Sequence, residues 1–300
     1  MDAVHAERED FVKKVDDQVL ASDELRQMLT TLEHRYDAYM AGYDRTDTDR
    51  ADAGGFSERD LPSADELAAE LCCEFAQANG LEIQADAFGN FHVLLPGDDP
   101  SAPAVTAGSH LDSVPHGGNY DGLAGVAAAL AVLAAVRASG TRPRRTLRAI
   151  AMRCEESPWF GTAYLGSRLM LGTFTLDQIG DLIRFDSGQT LRAHMAELGY
   201  PKPGRMAPLV RKENTAAMFE LHIEQGPLLG SAGVPVGIAP ASRGNIRFPN
   251  AICRGAYAHS AALPRRFRQD AVLAVSELAL DLDRYWAERT EAGDDNLVVT

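Results

Sequence analysis

Residues 104–152 constrain the fold more than any other stretch. Ala104-Val105-Thr106-Ala107 is an apolar run of strand length, Gly122 to Arg137 is rich in alanine, leucine and valine and predicts a buried helix, and Thr146 to Met152 predicts a second strand. Strand, helix and strand in that order imply a crossover and parallel pairing, hence an α/β sheet. The link between the first strand and the helix, Gly108 to Gly122, carries His110, Asp112 and Asp121. In open α/β sheets ligands bind beyond the carboxyl ends of the strands, which is where His110 and Asp121 fall.

Composition narrows the class. Three hundred residues, 45% of them hydrophobic, suffice for a large core in one large domain or two smaller ones. No apolar run reaches the length of a membrane span, and an N-terminus carrying Glu7, Glu9, Asp10, Asp16 and Asp17 does not resemble a secretory signal, so a cytoplasmic protein is expected. A formal net charge of -14 argues against nucleic acid and anionic membranes as partners. Cys72, Cys73, Cys154 and Cys253 show neither a Cys-x-x-Cys pair nor paired spacing, which predicts a reduced chain without disulfides. Gly-x-Gly-x-x-Gly is absent around Gly117-Gly118, and so is a Gly-x-Ser-x-Gly elbow, leaving no support for a dinucleotide site or a serine nucleophile.

The flanks read more simply. Residues 6–40 look helical with a break near Ala21-Ser22-Asp23, and residues 42–55 are a polar, glycine-bearing loop. Ser63 with Glu66 forms a capping box for a helix running to Asn79 and ended by Gly80. Leu81 to Asp86 and Asn90 to Leu95 read as strands. Met218 to Glu224 alternates, with Met218, Glu220, His222 and Glu224 on one face and Phe219, Leu221 and Ile223 on the other. Beyond Gly226-Pro227 come strand-like runs at Val234 to Ile238, Gly244 to Gly255 and Asn296 to Thr300, and an amphipathic helix from Asp270 to Trp286.

Three clusters carry potential chemistry. Two divalent cations roughly 3.5 to 4 Å apart need donors from several elements and one carboxylate that bridges. Asp121, placed to cap the helix, suits the bridge, and Asp112 suits acceptance of the second N–H of His110. A lone His-x-Asp also occurs in ordinary turns, and the residues alone leave both readings open. Glu155-Glu156 follows a buried-looking strand and precedes the apolar Pro158-Trp159-Phe160. Adjacent carboxylates there are either splayed into solvent or held by cations, and their diverging side chains allow one to ligate and the other to act as general base. His222 fits a hydrogen-bonded core histidine as well as a ligand.

Taken together, His110-x-Asp112, Gly117-Gly118-x-x-Asp121-Gly122, Glu155-Glu156 and His222-Ile-Glu-Gln-Gly-Pro227 resemble the metal-dependent amidohydrolases that include N-carbamoyl-L-amino-acid hydrolases, β-ureidopropionase and allantoate amidohydrolases. These belong among the di-zinc aminopeptidase-like peptidases, and the resemblance runs from about Tyr43 to Thr300. It implies a phosphorylase/hydrolase-like three-layer α/β catalytic domain over residues 1–238 and part of an α+β lid or dimerisation domain over residues 239–300. It makes His110, Asp121, Glu156 and His222 the metal ligands with Asp121 bridging, Glu155 the general base and Asp112 the support of His110. Gly255-Ala-Tyr-Ala-His259-Ser260 resembles the lid segment whose histidine holds the scissile carbonyl oxygen, although Ala261 stands where the family often has glycine.

The implied reaction is hydrolysis of a linear amide or ureido C–N bond in a small carbamoyl or ureido acid. The resemblance implies two divalent metal ions as cofactors, zinc first, with manganese, cobalt or nickel compatible with the same donors, and a homodimer through the lid. The resemblance further implies a substrate-binding arginine and a final histidine in a Gly-His-Asp-like segment, neither of which occurs in these 300 residues. The expectation is therefore a truncated form with one metal short of a ligand. A di-zinc aminopeptidase or dipeptidase and a non-catalytic metal-binding remnant are the alternatives.

Overall fold

A computed structural model describes residues 64–114, 120–202, 210–239 and 251–294. The expected helices over 6–40, the loop over 42–55, the Ser63 cap, the Gly117-Gly118 turn, residues 244–250 and the strand over 296–300 lie outside the described residues. The chain divides into two compact units, residues 1–225 and 226–300.

The first unit is built on a five-stranded sheet. Helix α1 (Ala64–Ala78) leads to an antiparallel pair, β1 (Glu82–Ala85) and β2 (Phe91–Leu95), followed by β3 (Ala104–His110), helix α2 (Leu123–Ala138) and β4 (Leu147–Met152). After three short helices, α3 (Leu165–Met170), α4 (Leu176–Ile179) and α5 (Leu191–Glu197), strand β5 (Thr215–Phe219) completes the order β1-β2-β4-β3-β5. As the crossover requires, β3 runs parallel to β4, and β5 is parallel to β3.

Alternation along the strands decides which face buries what. Phe91, Val93 and Leu95 of β2 and Ala149 and Ala151 of β4 pack in one cluster with Leu71, Cys72 and Phe75 of α1 and Val126, Leu130 and Leu133 of α2. Helix α2 is buried at Leu123, Val126, Leu130, Leu133 and Val136 and at most alanines between them, so apolar residues nearly all round its axis are matched by burial nearly all round. The other face of the sheet carries His92, Thr106 and Arg148, all buried. Phe160, Leu165, Leu169, Ile179, Leu191 and Met195 form a separate core under α3 to α5. These three helices have no counterpart in the sequence reading, because four to seven residues span too few turns for a helical period to register.

The second unit contains α6 (Leu228–Ala232) and α7 (Ala271–Glu291). Asp270 caps α7, its carboxylate accepting the N–H groups of Val272 at 3.0 Å and Leu273 at 3.2 Å. The run Val234 to Ile238 is not a strand: it follows the left-handed Gly233 that ends α6, and no described strand offers its backbone a partner. Among the described residues no helix is long and apolar enough to cross a membrane. None of the four cysteines is paired in a disulfide.

Candidate metal centre

Parallel pairing carries β3 and β4 to the same edge of the sheet, His110 lying opposite Met152 in the register. The chain therefore delivers the His110–Asp121 connection and the Arg153–Glu156 turn side by side. His222 arrives from the far side of β3. The strand expected over Met218 to Glu224 in fact ends at Phe219, where the pairing of β5 with β3 ends at Ala107. Beyond it α2 takes over the positioning: Gly125 has no Cβ, and one would collide with the Leu221 carbonyl oxygen, so only glycine lets the backbone beside His222 come this close.

Three donor atoms converge there. His110 Nε2 lies 3.2 Å from His222 Nε2 and 3.8 Å from Asp121 Oδ1, and His222 Nε2 lies 3.2 Å from Asp121 Oδ1. Tetrahedral donors around an ion at about 2.0–2.1 Å stand about 3.3 Å apart, which these separations approach. The tautomers point the same way. His110 Nδ1 is 2.7 Å from the Asp112 carbonyl oxygen and His222 Nδ1 is 2.9 Å from the Ile223 carbonyl oxygen, so each Nδ1 is placed to donate a proton, which in the neutral ring leaves Nε2 with its lone pair. Two lone pairs beside a carboxylate repel unless a cation sits among them.

A second donor group consists of His110, Glu155 and Glu156, with one donor atom from each within 4.8 Å of the others. His110 is common to both groups. Burial holds the Glu155 carboxyl above its usual range, with further upward pushes from Asp112 and Glu220 opposed by His110 and His222. Burial likewise raises Glu156, helped by the charges of Glu155 and Asp121, so the carboxylates crowd one another electrostatically.

Asp112 and Asp121 act differently from the sequence expectation. Asp112 offers His110 its backbone carbonyl, while its carboxylate stands 3.9 Å from that Nδ1 and instead accepts the backbone N–H groups of Glu155 at 3.0 Å and Glu156 at 2.9 Å. Asp121 does not cap α2 with its side chain; Gly122 is the cap residue, at φ +68. A Cβ at Gly122 would strike the His110 ring. Freed from capping, the Asp121 carboxylate turns to the histidines and accepts two contacts from Gln225 Nε2, at 3.1 and 3.0 Å.

Gln225 was not among the sequence candidates. Its signal was its place in the His222-to-Pro227 run, and its left-handed φ of +55 is what swings the amide to Asp121. Ser109 Oγ donates to Glu220 Oε1 at 2.6 Å and anchors the chain just before His222. His259 belongs to the second unit and is exposed there; its Nδ1 accepts the N–H groups of Ala261 at 3.1 Å and Ala262 at 3.0 Å, which leaves the ring proton on Nε2.

The model of peptidase family M20/M25/M40 matches residues 106–295. A ureidoglycolate hydrolase of Arabidopsis thaliana is 35% identical over 219 residues, 70% of this chain and 44% of that protein. An N-carbamoyl-L-amino acid amidohydrolase of Geobacillus stearothermophilus is 32% identical over 232 residues, 77% of this chain and 56% of that protein. The solved structure of a hydantoinase/carbamoylase family amidase from Burkholderia ambifaria superposes with a TM-score of 0.61 at 28% identity, covering 86% of this chain and 61% of that one. The chain spans about half the length of the curated relatives it matches.

Proposed function

This chain belongs to peptidase family M20/M25/M40, and we propose that it is a metal-dependent hydrolase of linear amide or ureido C–N bonds, acting on small N-carbamoyl or ureido acids. The observation that carries the reading is the convergence of two imidazole Nε2 atoms on one carboxylate, next to a second group of two glutamates that shares His110. The mixed nitrogen and carboxylate donors suit two divalent cations, with zinc first and manganese, cobalt or nickel admissible. His110, Asp121 and His222 would hold one ion, and Glu156 would hold the other together with the Asp121 bridge. When bound, such a pair lowers the pKa of water towards about 7 and polarises a carbonyl.

The protein's own groups do the rest. Glu155, its carboxyl raised by burial, accepts the proton of the attacking water and returns it to the leaving nitrogen. Asp112 fixes the tautomer of His110 through its carbonyl and the backbone of both glutamates through its carboxylate. His259, with its proton on Nε2, has the donor needed to hold the carbonyl oxygen as charge develops, worth roughly 2.7 to 4 kcal/mol for one such donor. We assign residues 1–238 to the catalytic domain and 239–300 to part of a lid through which the chain forms a homodimer, working in the cytoplasm.

The test is to load the purified chain with zinc or manganese, count bound ions per protomer after dialysis, and offer N-carbamoyl-L-amino acids, ureidoglycolate and dipeptides in parallel. Release of free amino acid or glyoxylate with dipeptides left intact is expected. Cleavage of dipeptides alone would transfer the chain to the aminopeptidases. Tight metal binding with no turnover of either class would support the non-catalytic alternative.

A further inference from the structure

The turn Arg153-Cys154-Glu155-Glu156 is tied along both edges of its backbone. Three of its carbonyls receive N–H groups from the start of α3: Gly166 to Arg153 at 3.1 Å, Leu165 to Cys154 at 2.9 Å and Tyr164 to Glu155 at 2.7 Å. Three of its own N–H groups go to two buried side chains, Arg153 to Asn90 Oδ1 at 2.9 Å and Glu155 and Glu156 to the Asp112 carboxylate. Between these ties Cys154 holds φ +51. That left-handed conformation costs a residue with a Cβ about 1–2 kcal/mol and persists only where the surroundings over-determine it.

Asn90 is the tie that comes from furthest away. Its side chain is fully buried and fully used: Nδ2 donates to Asp86 Oδ2 at 2.6 Å and to the Gly166 carbonyl at 3.2 Å, while Oδ1 accepts from Arg153. Asp86 is held in turn by the N–H groups of Phe88 at 2.8 Å and Asn90 at 3.0 Å. The amide thus joins the β1–β2 hairpin to both ends of the glutamate turn, the exit of β4 and the entry of α3. No other neutral side chain of this size supplies two donors and an acceptor.

We propose that Asn90 is a positioning residue for Glu155 and Glu156: through Arg153 and Gly166 it locks the left-handed Cys154 and so aims the two carboxylates at His110. The inference rests on the metal-centre reading. Asn90 bonds Asp86 and backbone rather than a donor side chain; partners bonded directly to ligands change metal affinity by about 10–100-fold, and Asn90 is expected at the lower end of that range.

Cobalt(II) titration of the full chain, followed by visible absorption that reports donor geometry and by circular dichroism that reports folding, tests it. Asn90→Asp, which sets a carboxylate against Asp86, is expected to weaken cobalt binding by about tenfold or more and to shift the absorption bands. Asp86→Asn/Asn90→Asp restores a donor–acceptor pair between the two side chains and keeps an oxygen for Arg153 N–H, but not the donor to the Gly166 carbonyl, and is expected to recover part of the affinity lost in Asn90→Asp. A merely structural role predicts a lower unfolding midpoint with wild-type cobalt affinity and spectrum in the folded protein, and that result overturns the proposal. Residue-resolved hydrogen exchange on the wild type decides the matter if Asn90→Asp does not fold. Slow exchange at Arg153, whose N–H goes to Asn90, supports the brace, and exchange there at the rate of an exposed amide overturns it. A wild-type chain that takes up no cobalt defeats the metal reading, while the exchange pattern still judges the brace by itself.

Discussion

His110 and His222 present the same imidazole nitrogen to the same carboxylate, yet from opposite kinds of backbone. His110 ends a strand paired to β4 up to its last residue, is 2% exposed, and rests its ring against Gly122. His222 follows an edge strand in irregular backbone, its side chain 29% exposed. The first is fixed by the fold before any ion arrives. The second is fixed mainly by what it meets, Asp121 across the site and α2 at Gly125. A centre built this way gains precision from one side and adaptability from the other, and adjustment on ion binding is expected at residues 220–225 rather than at 110–122.

The sharpest way to break this contrast is to remove the carboxylate both histidines share. Asp121→Ala should abolish metal retention after dialysis, whereas Glu155→Gln should keep the metal and lose turnover; equal metal loss in both would refute the division between ligand and base. Next in size is Gly122→Ala, which puts a Cβ into the His110 ring at a positive φ. Overpacking and strain together should cost about 2–4 kcal/mol in urea unfolding, and a change under 0.5 kcal/mol would mean that the His110 side is less rigid than argued.

A third histidine supplies a control without a metal. His92 is sealed on the opposite face of the sheet with no partner for either nitrogen, and burial beside Arg148 lowers its pKa from 6.5 to about 4. The unfolded chain binds a proton below pH 6.5 that the native state refuses until about pH 4. Stability from this group is therefore present above pH 6.5 and lost as the pH falls to about 4, on the order of 3 kcal/mol in all. His92→Leu should flatten that part of the wild-type stability profile; an unchanged slope would show the group to be hydrated. The smallest effect belongs to His222→Ala, which should weaken metal binding yet leave unfolding of the metal-free chain within about 0.5 kcal/mol of wild type.

What the sequence made legible follows from range. The crossover over residues 104–152 and the two antiparallel strands before it were readable because apolar runs of strand and helix length sit next to one another in the chain. His110, Asp121, Glu155, Glu156 and His222 stood out as candidates because they follow those runs, and the structure gathers them into two possible donor groups. Asn90 did not, since its far partner Gly166 lies 76 residues away and leaves no mark on the neighbouring letters, and Gln225, though inside the His222-to-Pro227 run, has its partner Asp121 104 residues away. The carboxylate of Asp112 was assigned to the wrong partner for a related reason: spacing brings it near His110, but only the parallel register of β3 and β4 brings the Glu155 and Glu156 amides within its reach. The alternation over Met218 to Glu224 promised a longer strand than forms, because an edge strand lasts only as long as its single neighbour accompanies it.

The alanine-rich helix α2 has a genetic consequence. Where a core is made of leucine and phenylalanine, the damaging substitutions are the ones that remove atoms. At Gly125, Ala127 and Ala129 there is almost nothing to remove, and the damage comes from adding. In a library covering every substitution, Gly125 should reject even alanine, whereas Ala127 and Ala129 should accept glycine or serine and reject larger residues regardless of their polarity. Tolerance along the helix would be ordered by volume, with hydrophobicity a poor guide.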